Sequence, residues 1–161
     1  MRRPRSLDIL AAMDVSGTIE AILSQKDAQI WSVSPDATVY EAIALMAEKN
    51  VGALLVMQGG KLVGIVSERD YSRKVMLKGK TSRNSFVHEI MTTELTTANP
   101  RETVEECLRF MTDKRIRHLP VVAEGELRGV ISIGDLVKQV ISVQSATLEQ
   151  LKDYIAGGYP S

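Results

Sequence analysis

The stretch GIVSERD at Gly64–Asp70 returns 65 residues later as GVISIGD at Gly129–Asp135. Each stretch runs from a glycine through two aliphatic residues to a serine, with an aspartate three positions after that serine. The aliphatic residues indicate the end of a buried strand, and Ser-x-x-Asp is typical of a capped helix start. The two stretches therefore predict two equivalent strand-to-helix junctions.

The duplication extends on both sides of these junctions. Residues 30–75 align with residues 95–140 without a gap, and 14 of the 46 aligned positions carry the same residue. A lead-in segment also recurs, since IEAIL at 19–23 resembles VHEIM at 87–91. Self-similarity of this kind is the signature of a repeated structural unit. The chain is predicted to be two copies of one unit, joined by a polar connector around residues 78–85.

Each copy has the same predicted order of elements, β-α-β-β-α. An extended segment ends at Pro35 or Pro100, because a proline disfavours helix in the residue before it. Thr38 and Thr103 are expected to cap the next helix, whose apolar residues recur at i, i+3, i+4 and i+7. A Gly-containing turn then joins two apolar strands. The predicted fold class is mixed α/β, with both copies packed into one domain.

The repeat also sets the expected boundaries. Strands are predicted at 53–57, 62–66, 119–122 and 127–131. The expected organisation is an N-terminal tail at 1–17, a first repeat at 18–80, a second repeat at 86–145, and a C-terminal helix and tail at 146–161. In the last segment, Thr147–Ala156 is predicted to be a separate amphipathic helix closed by Gly157-Gly158.

The composition argues against several classes of protein. The 161 residues carry 20 Lys and Arg against 20 Asp and Glu, with one Cys and two His. Zero net charge disfavours a nucleic-acid clamp, although a local basic face at Arg109, Lys114, Arg115 and Arg117 leaves that class open. One Cys excludes an intrachain disulfide framework, and so few Cys and His disfavour a metal site. No apolar run approaches the roughly 18 residues of a membrane span, so a cytoplasmic protein without a membrane partner is expected.

Two interpretations fit the repeated junctions. Ser67 with Asp70, and Ser132 with Asp135, have nearly the spacing and chemistry of a capping box, in which both side chains serve only the helix. Alternatively, a serine and free N–H groups at a helix start suit a phosphate, and a nearby aspartate can accept both hydroxyls of a ribose. The sequence leaves both interpretations open.

Basic residues mark a second place where chemistry is predicted. Arg117 and His118 directly precede a buried strand in the second copy, whereas Gly52 and Ala53 stand there in the first copy. Cations at the end of the preceding helix would suit its dipole, which is the structural alternative. The position at the strand entrance favours contact with a phosphate. Cys107, by contrast, lies on a helix face that is expected to be buried.

The repeat resembles the cystathionine-β-synthase (CBS) motif, and the tandem pair resembles a Bateman module. The likeness is carried by the two Gly-to-Asp stretches, by RHLPVV at Arg117–Val122, and by Pro35 and Pro100 with their following helices. It covers residues 18–142 and is similar to stand-alone bacterial CBS-pair proteins. The resemblance implies two repeats packed with pseudo-twofold symmetry and two clefts between them.

The resemblance further implies an adenosyl ligand without a metal: AMP first, then NAD(H) or ATP, and sometimes S-adenosylmethionine. The aspartates would hold ribose hydroxyls, the serines would approach ribose or phosphate, and the strand entrances would flank the adenine. Arg69 would supply in the first copy the charge that Arg117 supplies in the second. The implied binding residues of the first copy are Ser32, Val51, Gly52, Ala53, Ser67, Arg69 and Asp70. Those of the second copy are Thr97, Ile116, Arg117, His118, Pro120, Ser132 and Asp135.

The implied function is that of a regulatory sensor of energy or redox state. An enzyme is not expected, because the chain shows neither a nucleophile beside a base nor a P-loop. A homodimer of CBS pairs is expected, with Tyr71 and Leu136 facing the partner, together with an unidentified effector protein. The alternative function is ligand-independent dimerisation.

Overall fold

The structure is a computed structural model that describes residues 17–26 and 29–156. It confirms the mixed α/β class, with helices alternating with small sheets. The predictions for the N-terminal tail at 1–16, and for Gly157-Gly158 as a helix stop, lie outside the described residues. None of the described helices is long and apolar enough to cross a membrane.

The elements follow the chain as the repeat predicts, except that the first strand predicted for the second copy is reduced to a single bridge. The helices are α1 (Ile19–Gln25), α2 (Val39–Lys49), α3 (Glu68–Tyr71), α4 (Val87–Ile90), α5 (Val104–Lys114) and α6 (Ile133–Ala156). The strands are β1 (Ser32–Val33), β2 (Ala53–Gln58), β3 (Lys61–Ser67), β4 (His118–Ala123) and β5 (Glu126–Ser132). A π-helical turn at Ser72–Met76 continues α3, and a 3-10 turn lies at Ser82–Asn84. The four predicted strands are all present, each slightly longer than expected.

The helices α2 and α5 begin where the sequence predicts. The Thr38 hydroxyl accepts from the Glu41 N–H at 3.1 Å, and the Glu41 carboxylate accepts from the Thr38 N–H at 3.0 Å. Thr103 and Glu106 form the same reciprocal pair at 3.1 and 3.0 Å. These capping boxes satisfy N–H groups that a helix start otherwise leaves unpaired.

The sheets of the two copies differ by one strand. β2 with β3, and β4 with β5, form antiparallel hairpins, and β1 lies parallel to β2. In the second copy a single bridge between Ala98 and Val121 takes the place of β1. The Leu55 N–H donates to the Trp31 carbonyl at 3.2 Å, whereas the equivalent Pro120 has no N–H to donate. The proline therefore shortens this edge of the second sheet.

The chain forms two compact units, which are described separately. The continuous unit is Gln29–Thr97, and the split unit joins the described residues 17–26 to residues 98–156. The core of the continuous unit is Val39, Ala42, Met46, Leu54, Val56, Val66, Val75, Val87 and Ile90. The core of the split unit is Ile19, Ile22, Ala98, Val104, Cys107, Leu108, Met111, Leu119, Val121, Ile131 and Leu136. The predicted burial of Cys107 is confirmed.

The lead-in helices are exchanged between the sequence repeats. α1 belongs to the first repeat by sequence but packs in the split unit, where the Ile19 N–H donates to the Glu102 carbonyl at 3.0 Å. α4 leads into the second repeat but packs in the continuous unit, where the Val87 N–H donates to the Ala37 carbonyl at 2.9 Å. Each compact unit is therefore the core of one repeat closed by the lead-in of the other.

Two expectations about the last helix are wrong. α6 is one uninterrupted helix of 24 residues, so Thr147 does not start a separate helix. The Thr147 hydroxyl donates to the Val143 carbonyl at 3.0 Å, an internal bond that lets threonine continue a helix instead of capping one. Leu136 was expected to face a partner chain, but it is fully buried in the core of the split unit.

Candidate functional site

Strand pairing brings the implied binding residues together at one end of each hairpin. Ser67, the last residue of β3, pairs with Ala53 at the start of β2. Ser132, the last residue of β5, pairs with His118 at the start of β4. The first helical N–H after each serine donates to the carbonyl just before the paired strand residue, at 3.1 and 2.8 Å. Within each unit the strand entrance therefore lies beside the Ser-x-x-Asp junction.

At the first junction both carboxylate oxygens of Asp70 are occupied. Oδ2 accepts from the Ser67 N–H at 2.9 Å and from the Ser67 hydroxyl at 3.0 Å. Oδ1 lies 3.1 Å from the ammonium of Lys74, one helical turn further along. Lys74 also donates to the Ile90 carbonyl at 2.8 Å, at the end of α4. The predicted capping box is therefore present here, and Lys74 connects the junction to the lead-in helix α4.

At the second junction the hydrogen bonds of the Asp135 carboxylate converge on one of its two oxygens, Oδ2. Oδ2 accepts from the Ser132 N–H at 2.9 Å and from Lys26 Nζ at 2.7 Å. Lys26 also donates to the Val130 carbonyl at 2.9 Å. The Asp135 N–H donates to the Ser132 hydroxyl at 3.1 Å, so this helix is capped as well. Among residues 17–26 and 29–156, none forms a hydrogen bond with Oδ1 of Asp135.

These contacts hold Asp135 in its charged form. Burial alone would raise the pKa of this carboxyl group, but hydrogen bonds from Lys26 and Ser132, with the charge of Lys26, outweigh burial and lower the pKa. The carboxylate is therefore ionised at neutral pH. An ionised carboxylate with one open oxygen is a strong acceptor for a hydroxyl group.

His118 contributes a neutral imidazole beside this carboxylate. Burial lowers its pKa, and the charges of Lys26 and Arg117 act in the same direction, against the opposing pull of Asp135. The neutral ring can donate or accept a hydrogen bond, but it carries no positive charge at neutral pH. The positive charge of this site therefore comes from Lys26 and the exposed Arg117.

Sequence reasoning missed the two lysines that bind the junction aspartates. Lys74 lies four residues after Asp70, a spacing that places both on one helix face and that could have been noticed. Lys26 is separated from Asp135 by 109 residues, and no local pattern joins them. Its contact depends on the packing of α1 in the split unit.

The other implied binding residues differ in exposure. Exposed side chains belong to Ser32, Arg69, Thr97 and Arg117. Val51, Gly52, Ala53 and Ile116 are half-buried. Pro120 is buried within β4, so its side chain is not presented to solvent. In the continuous unit, the positive charge near the junction comes from the exposed Arg69 and from Lys74.

The remaining aromatic and reactive side chains have structural surroundings. The Lys49 ammonium lies 4.2 Å from the ring centre of the half-buried Trp31, and His88 stacks on Phe86 with 5.7 Å between ring centres. Burial, reinforced by nearby carboxylates, raises the pKa of Cys107 to about 12. Within the part of the chain that the structure describes, no cluster of three or more His, Cys, Asp or Glu could hold a metal ion. The arrangement therefore supports binding through hydrogen bonds and charge.

Known proteins resemble this chain in both sequence and fold. The mitochondrial CBS domain-containing protein CBSX3 of Arabidopsis thaliana is 39% identical over 163 residues, which cover 92% of this chain and 79% of that protein. A solved protein with CBS domains from Burkholderia ambifaria MC40-6 is 48% identical, with a TM-score of 0.78 over 80% of this chain and 96% of its own. The CBS domain pair of MJ0100, solved with 5'-methylthioadenosine and S-adenosyl-L-methionine, is 22% identical, with a TM-score of 0.69 over 80% of this chain and 98% of its own.

The two copies of the sequence repeat each match a known family. The CBS domain profile matches residues 16–77 and again residues 87–142. Together the two matches cover more than half of the chain, and each contains one hairpin with its Ser-x-x-Asp junction. The chain therefore belongs to the CBS domain family, as a tandem pair of CBS repeats.

Proposed function

We propose that the chain is a regulatory module that binds an adenosine-containing ligand and communicates its occupancy to an effector protein. AMP is the first expected ligand, followed by NAD(H) and ATP. The observation that carries the proposal is the second junction, where Lys26 and Ser132 bind Oδ2 of an ionised Asp135 and no described residue forms a hydrogen bond with Oδ1. That combination suits a molecule with a diol and a phosphate.

The ribose and the phosphate would use different groups of this site. Asp135 Oδ1 would accept a hydrogen bond from a ribose hydroxyl, as acidic residues do in dinucleotide-binding folds. Arg117 and Lys26 would attract the phosphate, because guanidinium and ammonium groups form charge-assisted hydrogen bonds with it. The reverse assignment is excluded because a carboxylate and a phosphate repel each other.

The first junction is expected to bind more weakly. Both oxygens of Asp70 already accept hydrogen bonds or an ion pair, so a ribose hydroxyl would have to displace Ser67 or Lys74. Arg69 is exposed and makes no ion pair with any described residue, which leaves it available for a phosphate. We therefore propose that the second junction is occupied first.

The comparisons support the proposal at the level of the family. The MJ0100 pair was solved with two adenosyl compounds, but at 22% identity its likeness to this chain concerns the fold alone. It therefore guides the choice of compounds for testing. A homodimer of CBS pairs, an effector protein and a cytoplasmic location belong to the same proposal.

A thermal-shift panel tests the proposed function. The purified chain is heated with AMP, ADP, ATP, NAD(H) or S-adenosylmethionine, with GMP and ribose 5-phosphate as controls that lack adenine. A ligand at 100 times its Kd stabilises by about 2.7 kcal/mol, which corresponds to roughly 5–10 °C for a chain of this size. The expected result is a shift with AMP that exceeds both controls. If no adenosyl compound raises Tm, the sensor proposal is wrong and ligand-independent dimerisation is favoured.

A further inference from the structure

The outer face of α6 presents a line of aliphatic side chains to solvent. Val137, Ile141, Leu148, Leu151 and Ile155 are between 45% and 73% exposed. The buried Leu136 shows that another face of the same helix packs in the core of the split unit. The first turns of the helix are therefore anchored in the core, whereas every side chain from Gln144 to Ile155 is exposed. A line of exposed aliphatic side chains along such a helix is typical of an interaction surface.

The spacing of these residues is that of a coiled-coil seam. Together with Gln144 they follow one another at intervals of four, three, four, three and four residues. This is the alternation of a and d positions in a heptad repeat, with a mean period of 3.5 residues. In this register Ile141, Leu148 and Ile155 are a positions, and Val137, Gln144 and Leu151 are d positions. A seam of this kind fits between the side chains of a similar helix.

We infer that this heptad face, residues 137–155 of α6, pairs in parallel with the same face of a second copy of this chain. Gln144, the one polar side chain in the seam, favours a second copy of the chain as the partner. In a parallel pair Gln144 meets its own counterpart, and each amide can donate to and accept from the other. In an antiparallel pair, or against an apolar surface of another protein, the amide would meet aliphatic side chains only. The inference does not depend on nucleotide binding.

The flanking residues and the available area agree with this pairing. In the parallel register Val140 faces Ser145 of the partner helix and Thr147 faces Lys152, so no like charges oppose each other. The exposed aliphatic side chains offer on the order of 500 Å² per helix, so the pair would bury about 1,000 Å², which is the size of a weak or transient interface. A reversible dimer is therefore expected.

Cysteine crosslinking tests both the face and its direction. The native Cys107 is fully buried, and burial with nearby carboxylates raises its pKa to about 12, so it stays unreactive in the folded chain. Leu148→Cys places a thiol in the seam, and Glu149→Cys places one beside it, off the seam. On mild oxidation of the full chain, the first variant is expected to give at least fivefold more disulfide-linked dimer. Equal yields, or no dimer from either variant, would overturn the inference.

A sedimentation experiment provides a second readout that needs no oxidation. The double variant Leu148→Asp, Leu151→Asp is compared with the control Glu149→Ala, and circular dichroism verifies that both remain folded. The double variant is expected to weaken the dimer Kd at least tenfold, while the control leaves it unchanged. A full chain that stays monomeric at high concentration, or a double variant with an unchanged Kd, would contradict the pairing.

Discussion

The two Ser-x-x-Asp junctions share a local design but differ in how they are tied to the rest of their unit. In both, a lysine joins the junction aspartate to a backbone carbonyl. In the continuous unit Lys74 belongs to the helical segment of the junction itself and reaches the end of α4. In the split unit Lys26 follows α1 and reaches the junction from outside. In the continuous unit the junction therefore supplies the lysine that contacts the lead-in helix, whereas in the split unit the lysine that follows the lead-in helix contacts the junction.

The difference has a chemical consequence. Lys74 occupies the oxygen of Asp70 that the cap leaves free, whereas Lys26 shares the oxygen of Asp135 that the cap already uses. Two aspartates at equivalent positions thus have different capacities for an incoming hydroxyl group. A duplicated motif shows which residues can form a site, but long-range contacts determine which copy is available.

The largest expected effects test whether the two cores are equivalent. Leu54 and Leu119 occupy matching positions in β2 and β4 and are 1% and 0% exposed. Leu54→Ala and Leu119→Ala should each lower the free energy of unfolding by roughly 3 kcal/mol, because each leaves a cavity in a closed core. Urea denaturation of the two variants measures this. Losses that differ by more than about 2 kcal/mol would show that the cores are not equivalent.

Alanine substitutions at two matching glycines should destabilise the two units to different extents. A methyl group at Gly64 would lie 2.9 Å from the Met91 sulfur and 3.0 Å from the Thr92 carbonyl oxygen, which is bonded to β3. At Gly129 the nearest atoms all belong to the Leu23 side chain, and the closest of them, a terminal methyl group, would lie at 2.8 Å. Gly64→Ala should therefore cost about 2 kcal/mol and Gly129→Ala less than about 1 kcal/mol, since a side chain moves more easily than paired backbone. Denaturant titrations that reverse this order would contradict the argument.

Ligand binding should depend more strongly on Asp135 than on Asp70. Asp135→Asn is expected to remove most of the AMP-induced rise in Tm, about 2 kcal/mol of stabilisation at saturating ligand, while Asp70→Asn removes less than half of it. Both variants keep a side-chain oxygen that can accept a hydrogen bond from the N–H of the capping serine, so each serves as the folding control for the other. The measurement is the ligand-induced shift relative to each variant without ligand. Equal losses would mean that the open oxygen of Asp135 gives no advantage.

The smallest expected effect concerns the Lys26–Asp135 pair. Lys26→Met should cost about 0.5 kcal/mol at pH 7, because the lysine is more than a third exposed and such pairs are weak. The pKa of Asp135 is lowered from its ordinary value of 3.8 in the folded chain. Its contribution is therefore present above pH 3.8 and lost as the pH falls through the lowered pKa.

The pH dependence supplies the control for this variant. The stability difference between Lys26→Met and the unchanged chain should be constant from pH 5 to 7 and decline in stronger acid. Lys61→Met, at an exposed lysine without an ion pair among the described residues, should show no such decline. If the stability difference declines in the same way for both variants, the pH dependence comes from the loss of a positive charge in general and not from the Lys26–Asp135 ion pair.

The sequence predicted the features that depend on neighbours along the chain. Capping by Thr38, Thr103, Ser67 and Ser132, the two hairpins and the burial of Cys107 follow from spacings of a few residues. These features could be predicted because each rests on one turn or one strand. The edge strand predicted for the second copy was wrong: among the described residues a single bridge replaces it, because Pro120 has no N–H to donate.

The remaining features depend on tertiary packing. The lead-in segments repeat at offset 68, and nothing in their sequence shows that each closes the core of the other repeat. The contact between Lys26 and Asp135 follows from that exchange, so it could not be predicted either. The continuity of α6 was missed because threonine favours helix starts, whereas the Thr147 hydroxyl here donates to the Val143 carbonyl inside the helix. The roles implied for the binding residues stay predictions.

The exchange of lead-ins also sets an order of events during synthesis. The continuous unit has all of its residues once Thr97 has been made, so it can close early. α1 is the first of the described helices to be made, but its first native partners in the split unit follow about 80 residues later, since the Ile19 N–H donates to the Glu102 carbonyl. At roughly 5–20 residues per second on the ribosome, the apolar face of α1 lacks these partners for roughly 4–16 s. Among the described elements, the nascent chain is expected to be most vulnerable to aggregation or chaperone capture at α1.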